Sequence, residues 1–128
     1  MRAELTVEEL MFAVYAVVNV LAALAVAGAA WMDFVRHPVA VGAADTVGTP
    51  RSWMYPLGVV LAAGAIGLLA GFVVPPIGTA AAIGLVLYFV CAVGAHLRVR
   101  DFKLTAVGTF LALCVAALIV NLARHGLS

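Results

Sequence analysis

Apolar residues in this chain do not alternate with polar ones; they come in four long blocks, Leu10–Met32, Trp53–Val74, Ile77–Ala95 and Leu104–Leu122. Each block is close to the roughly 20 residues a helix needs to cross a hydrocarbon core of ~30 Å. A barrel strand would alternate with period two, and none of the blocks does. Backbone amides in hydrocarbon must find partners within their own segment or in a closed barrel. The pattern therefore predicts helices over about 10–32, 53–74, 77–96 and 104–122. The fold class that follows is all-α, an integral membrane four-helix bundle that takes up residues 1–128 as one transmembrane domain. The first block reads as a membrane helix rather than a signal sequence. It is too long for a signal core, and its flank (Glu4, Glu8, Glu9) is acidic.

The polar punctuation refines this picture. Thr6 is placed to cap the first helix, with Glu8 and Glu9 in the first turn, where the helix dipole favours negative charge. Residues 33–52 form the longest connection, and Pro38 and Pro50 oppose a continuous helix there. Its middle, Val39–Ala44, is apolar, so the segment is expected to fold back over the end of the bundle. Trp53 and Tyr55 suit a membrane–water interface. Gly67 and Gly71 have GxxxG spacing, a mark of close helix packing in lipid. Pro75-Pro76 predicts a tight hairpin. On the third helix, Gly84, Tyr88, Cys91 and Ala95 share one face.

Composition and charge narrow the function. The chain is 66% hydrophobic and 10% charged, against about 25% charged in soluble domains. A net charge of +1 argues against a nucleic-acid partner. Cys91 and Cys114 fall at different depths along their helices, which opposes a disulfide. Four crossings put Arg36, Arg51, Arg98, Arg100 and Lys103 on one side and Arg2 and Arg124 on the other. The positive-inside rule then places both connections in the cytoplasm and both termini outside.

Several stretches carry a family resemblance. Gly58, Gly64-Ala-Ile-Gly67-Leu68, Pro75, Ala80-Ala-Ala-Ile-Gly-Leu-Val86 and Gly94-Ala-His-Leu-Arg98 resemble the DoxX and DoxX-like family of small four-helix bacterial membrane proteins. The likeness covers about residues 49–101 well and the first helix poorly. It implies a multi-pass protein of the bacterial cytoplasmic membrane. It also implies an association with membrane redox, through a thiosulfate–quinone oxidoreductase subunit and oxidative-stress complexes, which makes a quinone the implied ligand class. The family pattern carries a glutamate inside the second helix; this chain has Leu61-Ala62-Ala63 there, so no role rests on an acid at that point.

The candidate chemistry gathers at one end. Gly94-Ala95-His96-Leu97-Arg98-Val99-Arg100-Asp101 meets the other charged stretch, Asp33 to Arg51, on the same side of the bundle. Ionisable groups near the bilayer pair, face the interior or mark a site. Asp33, His37, His96 and Arg98 are the acid, base and anion-holding candidates for a catalytic site. Asp33 and His37 meet at i, i+4 if the first helix runs through both. Arg51 and Tyr88, with Tyr15 and Asn19 at mid-membrane, are the ligand-binding candidates. The plainer roles are headgroup anchoring for the arginines and interhelical hydrogen bonding for Asn19 and His96. No paired metal-ligand spacing occurs; a haem on His37 or His96 is compatible with the sequence.

Two functions compete. One is a binding protein that holds a lipophilic small molecule such as a quinone, or a partner subunit, between its helices, in contact with membrane lipid. The other is a small membrane enzyme, an isomerase, cyclase or epoxide-opening enzyme, using the acid and base at the cytoplasmic end. A transporter is disfavoured, because no charged residue lies at mid-membrane and no inverted repeat is evident. The glycine faces leave room for a homo-oligomer.

Overall fold

The computed structural model describes residues 6–100 and 104–125, with all side chains in that range except those of Val39, Ala43, Arg51 and His125. Five α-helices follow one another: α1 Val7–Phe34, α2 Pro38–Val47, α3 Met54–Ala70, α4 Pro75–Arg98 and α5 Thr105–His125. No strand occurs among the described residues. α1, α4 and α5 are long and apolar enough to cross a membrane. α3, a shorter apolar helix of 17 residues, sits at the lower limit of about 17 for a span.

Local chemistry sets the helix ends. The Thr6 hydroxyl accepts from the Glu9 amide at 3.1 Å, and Glu8 and Glu9 occupy the first turn of α1. The far end of α1 closes with Arg36 in the left-handed region (φ 51°). There His37 N–H donates to Met32 O (2.9 Å) and Arg36 N–H to Asp33 O (3.2 Å). This is the paired closure of a Schellman motif, made here with arginine in place of the usual glycine. The end of α2 repeats it with Gly48 (φ 77°): Thr49 N–H donates to Ala44 O (2.8 Å) and Gly48 N–H to Asp45 O (3.2 Å).

Three sequence expectations are corrected. The connection over 33–52 is mostly helical, because Pro38 starts α2 at a position where a helix needs no amide donor. Pro75-Pro76 likewise lies in the first turn of α4, and the chain reverses just before it, over residues 71–74. The helical register assumed for Asp33 and His37 does not exist, because α1 ends at Phe34 and Arg36 turns the chain.

The four long helices form a ring in the order α1, α3, α4, α5, with α5 returning to α1. Each helix is antiparallel to its two neighbours. Tyr15 at the start of α1 reaches Gly71 just past the end of α3, and Phe34 at the end of α1 stacks on Tyr55 at the start of α3. The interior is built from small side chains. Ala22, Ala23, Ala30, Ala65, Ala82 and Ala117 are buried, filled in by Val26, Leu61, Leu68, Leu85, Phe89 and Cys114. Larger aliphatics such as Leu24 (65% exposed), Ile66 (66%) and Ile119 (59%) face outward. Small residues inside and bulky apolar residues outside is the arrangement suited to lipid, where close backbone packing rather than water exclusion holds helices together. The protein is an all-α membrane bundle.

α3 and α4 come close where both carry glycine. A Cβ added to Gly71 would lie 2.5 Å from Gly78 Cα, and one added to Gly67 would lie 2.7 Å from Ala81 Cβ. The GxxxG spacing read from the sequence therefore marks the face that packs on α4.

Candidate functional site

At the end where α1 finishes and α3 begins, the ring does not close. A cleft of about 780 Å³ opens between all four long helices, with α2 along one side. Its body is apolar, made by Leu57, Leu61, Phe89, Val107 and Phe110, among others. Small residues leave the space: Gly84, Ala92 and Ala95 from α4, Ala40 and Ala44 from α2, and Ala106 from α5. Aromatic rings form one wall. Phe89 and Phe110 stack with centroids 5.3 Å apart, and Tyr88 meets Phe89 edge-on at 5.0 Å. Trp53, 58% exposed, stands at the start of α3.

Three of the sequence candidates line this cleft: Asp33, Tyr88 and His96. Asp33 reaches it from the last turn of α1, where the Cβ position of Gly58 is only 3.2 Å away from Asp33 Cβ. His96 Nδ1 lies 2.8 Å from Ala92 O. A carbonyl oxygen only accepts, so Nδ1 carries the proton, and in the neutral ring Nε2 is then the acceptor. The face Gly84, Tyr88, Cys91 and Ala95 lines the cleft along its length.

The other candidates lie elsewhere. Arg98 Nη2 donates to Val47 O at 3.0 Å, the last carbonyl of α2. A guanidinium there satisfies an orphan acceptor and opposes the negative end of the helix dipole. Arg98 thus ties the end of α4 to the end of α2 and holds α2 beside the cleft, without lining it. His37 sits beyond the end of α1, outside the cleft lining. Arg36 stacks its guanidinium over Tyr55, 5.1 Å from the ring centre. The main chain of Arg51 begins a short 3₁₀ turn, Arg51–Trp53, while its side chain, Asp101 and Lys103 lie outside what the structure describes. Both cysteines are free: Cys91 is exposed and lines the cleft, and Cys114 is buried in the core.

Tyr15 and Asn19 are at the opposite end and line no cavity among those described. They belong to a buried polar cluster that joins three helices. Tyr15 Oη donates to Gly71 O (3.3 Å), Asn19 Nδ2 to Tyr15 O (2.8 Å), and Asn121 Nδ2 to both Asn19 Oδ1 (2.9 Å) and Ala117 O (2.7 Å). Arg124 covers the rings of Phe12 and Tyr15 at 4.8 and 5.2 Å. The Asn19–Asn121 bond pins α1 to α5 where no water is available to substitute.

Sequence reasoning missed the apolar lining from α3 and α5: Met54, Leu57, Val60, Leu61, Val107 and Phe110. These residues are indistinguishable in type from their lipid-facing neighbours. The usable signal was the run of small residues on α4, which marks where a helix leaves space.

Among the described residues no group of three or more histidine, cysteine, aspartate or glutamate side chains is placed to hold a metal ion. No curated protein and no solved structure matches the chain. The sequence does match the DoxX-like family over residues 17–120. That span takes in most of α1, including Asp33, and so reaches further than the stretch over which the resemblance is legible by eye. With its helical membrane bundle and a match over most of its length, the chain belongs to the DoxX-like family.

Proposed function

We propose that the cleft holds a lipophilic small molecule, of the size and flatness of a quinone, with its ring against the aromatic wall and its polar edge toward Asp33, Tyr88 and His96. The observation that carries this reading is the cleft of about 780 Å³, within the ~300–1,000 Å³ typical of ligand sites, with apolar walls and a few convergent polar groups. Phe89, Phe110 and Tyr88 bring aromatic surface to the lining, against which a ring can pack. A second reading, catalysis on the bound molecule, is favoured by one further observation: an acid, Asp33, and a base, His96, line the same cleft.

One experiment addresses both. A Cβ added at Gly84 meets nothing within 4 Å, and Gly84 lines the cleft. Gly84→Leu therefore fills the site without crowding the helix packing. Protein purified in mild detergent is extracted and its lipophiles compared with those of Gly84→Leu by mass spectrometry. A lipophile retained by the parent and reduced about tenfold or more in the variant, a change of ~1.4 kcal/mol, is the expected result. Equal retention in both removes the binding reading. Recovery of an added lipophile in chemically altered form, lost in Asp33→Asn and His96→Gln, establishes catalysis.

We also propose that the protein sits in the bacterial cytoplasmic membrane with the cleft end inside. The support is the concentration of arginine and lysine at the two connections on that side. Alkaline phosphatase fused after Ser128 should then be active, and a fluorescent cytoplasmic reporter at that position would reverse the orientation.

A further inference from the structure

We infer that the cleft selects for positive charge, so that its ligand is a lipophilic cation: an aromatic or alkyl body carrying a protonated amine or another onium centre. This rests on the reading of the cleft as a lipophile site and adds the chemistry of its polar end.

The argument starts from Asp33. It is partly buried at the end of a membrane-spanning helix and lines the cleft. It makes no ion pair and no side-chain hydrogen bond within the described structure. Its electrostatic neighbour is Tyr88, a phenol and not a cation. A carboxylate at a bilayer boundary normally has a partner, because an unpaired charge there is costly.

Two of the basic residues at this end are engaged elsewhere. The Arg36 guanidinium lies over Tyr55, and Arg98 donates to the end of α2. No lysine or arginine is among the described residues lining the cleft. His96 places Nδ1 2.8 Å from Ala92 O on its own helix. Among the described residues, the charged group that lines the cleft is therefore a carboxylate with no arginine or lysine lining the cleft beside it. The same cleft is lined by Tyr88, Trp53, Phe89 and Phe110, and aromatic rings attract cations. A carboxylate set among aromatic faces favours an onium head, repels a carboxylate or phosphate head, and is indifferent to a neutral ring.

The test uses three probes of one shape and different charge: tetraphenylphosphonium, tetraphenylmethane and tetraphenylborate. Each is titrated calorimetrically into the full-length protein in neutral detergent micelles, with protein-free micelles as the blank. The expected order is phosphonium tightest and borate weakest, with phosphonium at least about tenfold tighter than the neutral probe. Asp33→Asn should abolish that preference and leave the neutral probe unchanged; Glu8→Gln, on the far side of the membrane, should leave the order intact. Equal binding of all three probes, unaffected by Asp33→Asn, overturns the charge selection and leaves the lipophile cleft standing. Absence of binding by every probe, shared by Gly84→Leu and the parent alike, overturns the cleft reading and this inference with it. A folded control is the helical content of Asp33→Asn; should it not fold, Asp33→Glu, which keeps the charge, must keep the order of probes or the inference fails.

Discussion

Asn121→Asp is expected to destabilise the bundle by about 3 kcal/mol or more, the scale of a buried charge left without a partner, although it changes one atom type and no shape. The amide nitrogen of Asn121 donates to two acceptors, Asn19 Oδ1 at 2.9 Å and Ala117 O at 2.7 Å. A carboxylate would set a negative oxygen against both. Its second oxygen takes the place of Asn121 Oδ1, which already has no partner in the interior, so nothing there offsets the charge. A protonated carboxyl restores one donor of the two. Protonating such an acid therefore returns part of the lost stability as pH falls. Asn121→Leu removes the donors without adding charge and should cost only ~1–2 kcal/mol, the range measured for hydrogen bonds in membranes and for an unpaired buried acceptor. The check is the midpoint of unfolding by SDS titration in mixed micelles, in alkaline and in mildly acidic buffer. Equal losses for Asp and Leu at both conditions would mean that the Asn19–Asn121 bond does not hold α1 against α5.

Gly71→Ala is expected to cost about 1–3 kcal/mol, the usual range for overpacking, and Gly64→Ala distinctly less. The two added methyl groups would sit equally close to their nearest neighbours, 2.5 Å in each case. What differs is the neighbour. At Gly71 it is Gly78 Cα, with Gly78 N at 2.9 Å, and backbone can yield only by moving α4 away from α3. At Gly64 it is Leu85 Cδ2, with Leu85 Cγ at 2.7 Å, and these side-chain atoms can shift while both backbones stay in place. The backbone angles of Gly71 (φ −62°, ψ −19°) suit alanine, so conformational strain contributes nothing to the difference. Gly28→Ala, where a Cβ meets nothing within 4 Å, serves as the control and should be neutral or slightly stabilising, since alanine favours helix by up to ~1 kcal/mol. The same SDS titration ranks the three. The ranking fails if Gly71→Ala matches Gly28→Ala.

These two predictions concern the end of the bundle that carries no cleft, and they explain why the other end can stay open. α3 and α4 are clamped through Gly71 and Gly78, and α1 and α5 through Asn19 and Asn121. The two clamps adjoin, because a Cβ on Gly78 would lie 3.0 Å from Asn121 Oδ1. From that closed end the helices reach the cleft end, where small residues and α2 leave space. Arg98 on Val47 O keeps α2 in place beside it.

Much of this was legible in the residues. Four apolar blocks mean helices in lipid, because hydrocarbon leaves the backbone no other partner than itself. The cap at Thr6 and the glycine face of α3 were readable because each depends on neighbours a few positions away in the chain. The gathering of Asp33 and His96 at one end followed from counting crossings. The helix α2 was not legible: its proline suggests a break until one sees that it occupies the first turn, and the closures at Arg36 and Gly48 depend on backbone angles that residue type does not dictate.

The sequence by itself determined the solvent, the number of long helices and the end at which charge collects, since all three depend on composition and on distance along the chain. Tertiary structure alone decided which of those groups share a cavity. Asp33, Tyr88 and His96 line one cleft, while His37 and Arg98, equally close in the chain, do not. Tyr15 and Asn19 became a clamp rather than a lining. The reason is geometric. Where a side chain ends up depends on the packing of helices separated by up to a hundred residues, and a void exists only where several small side chains from different helices face one another.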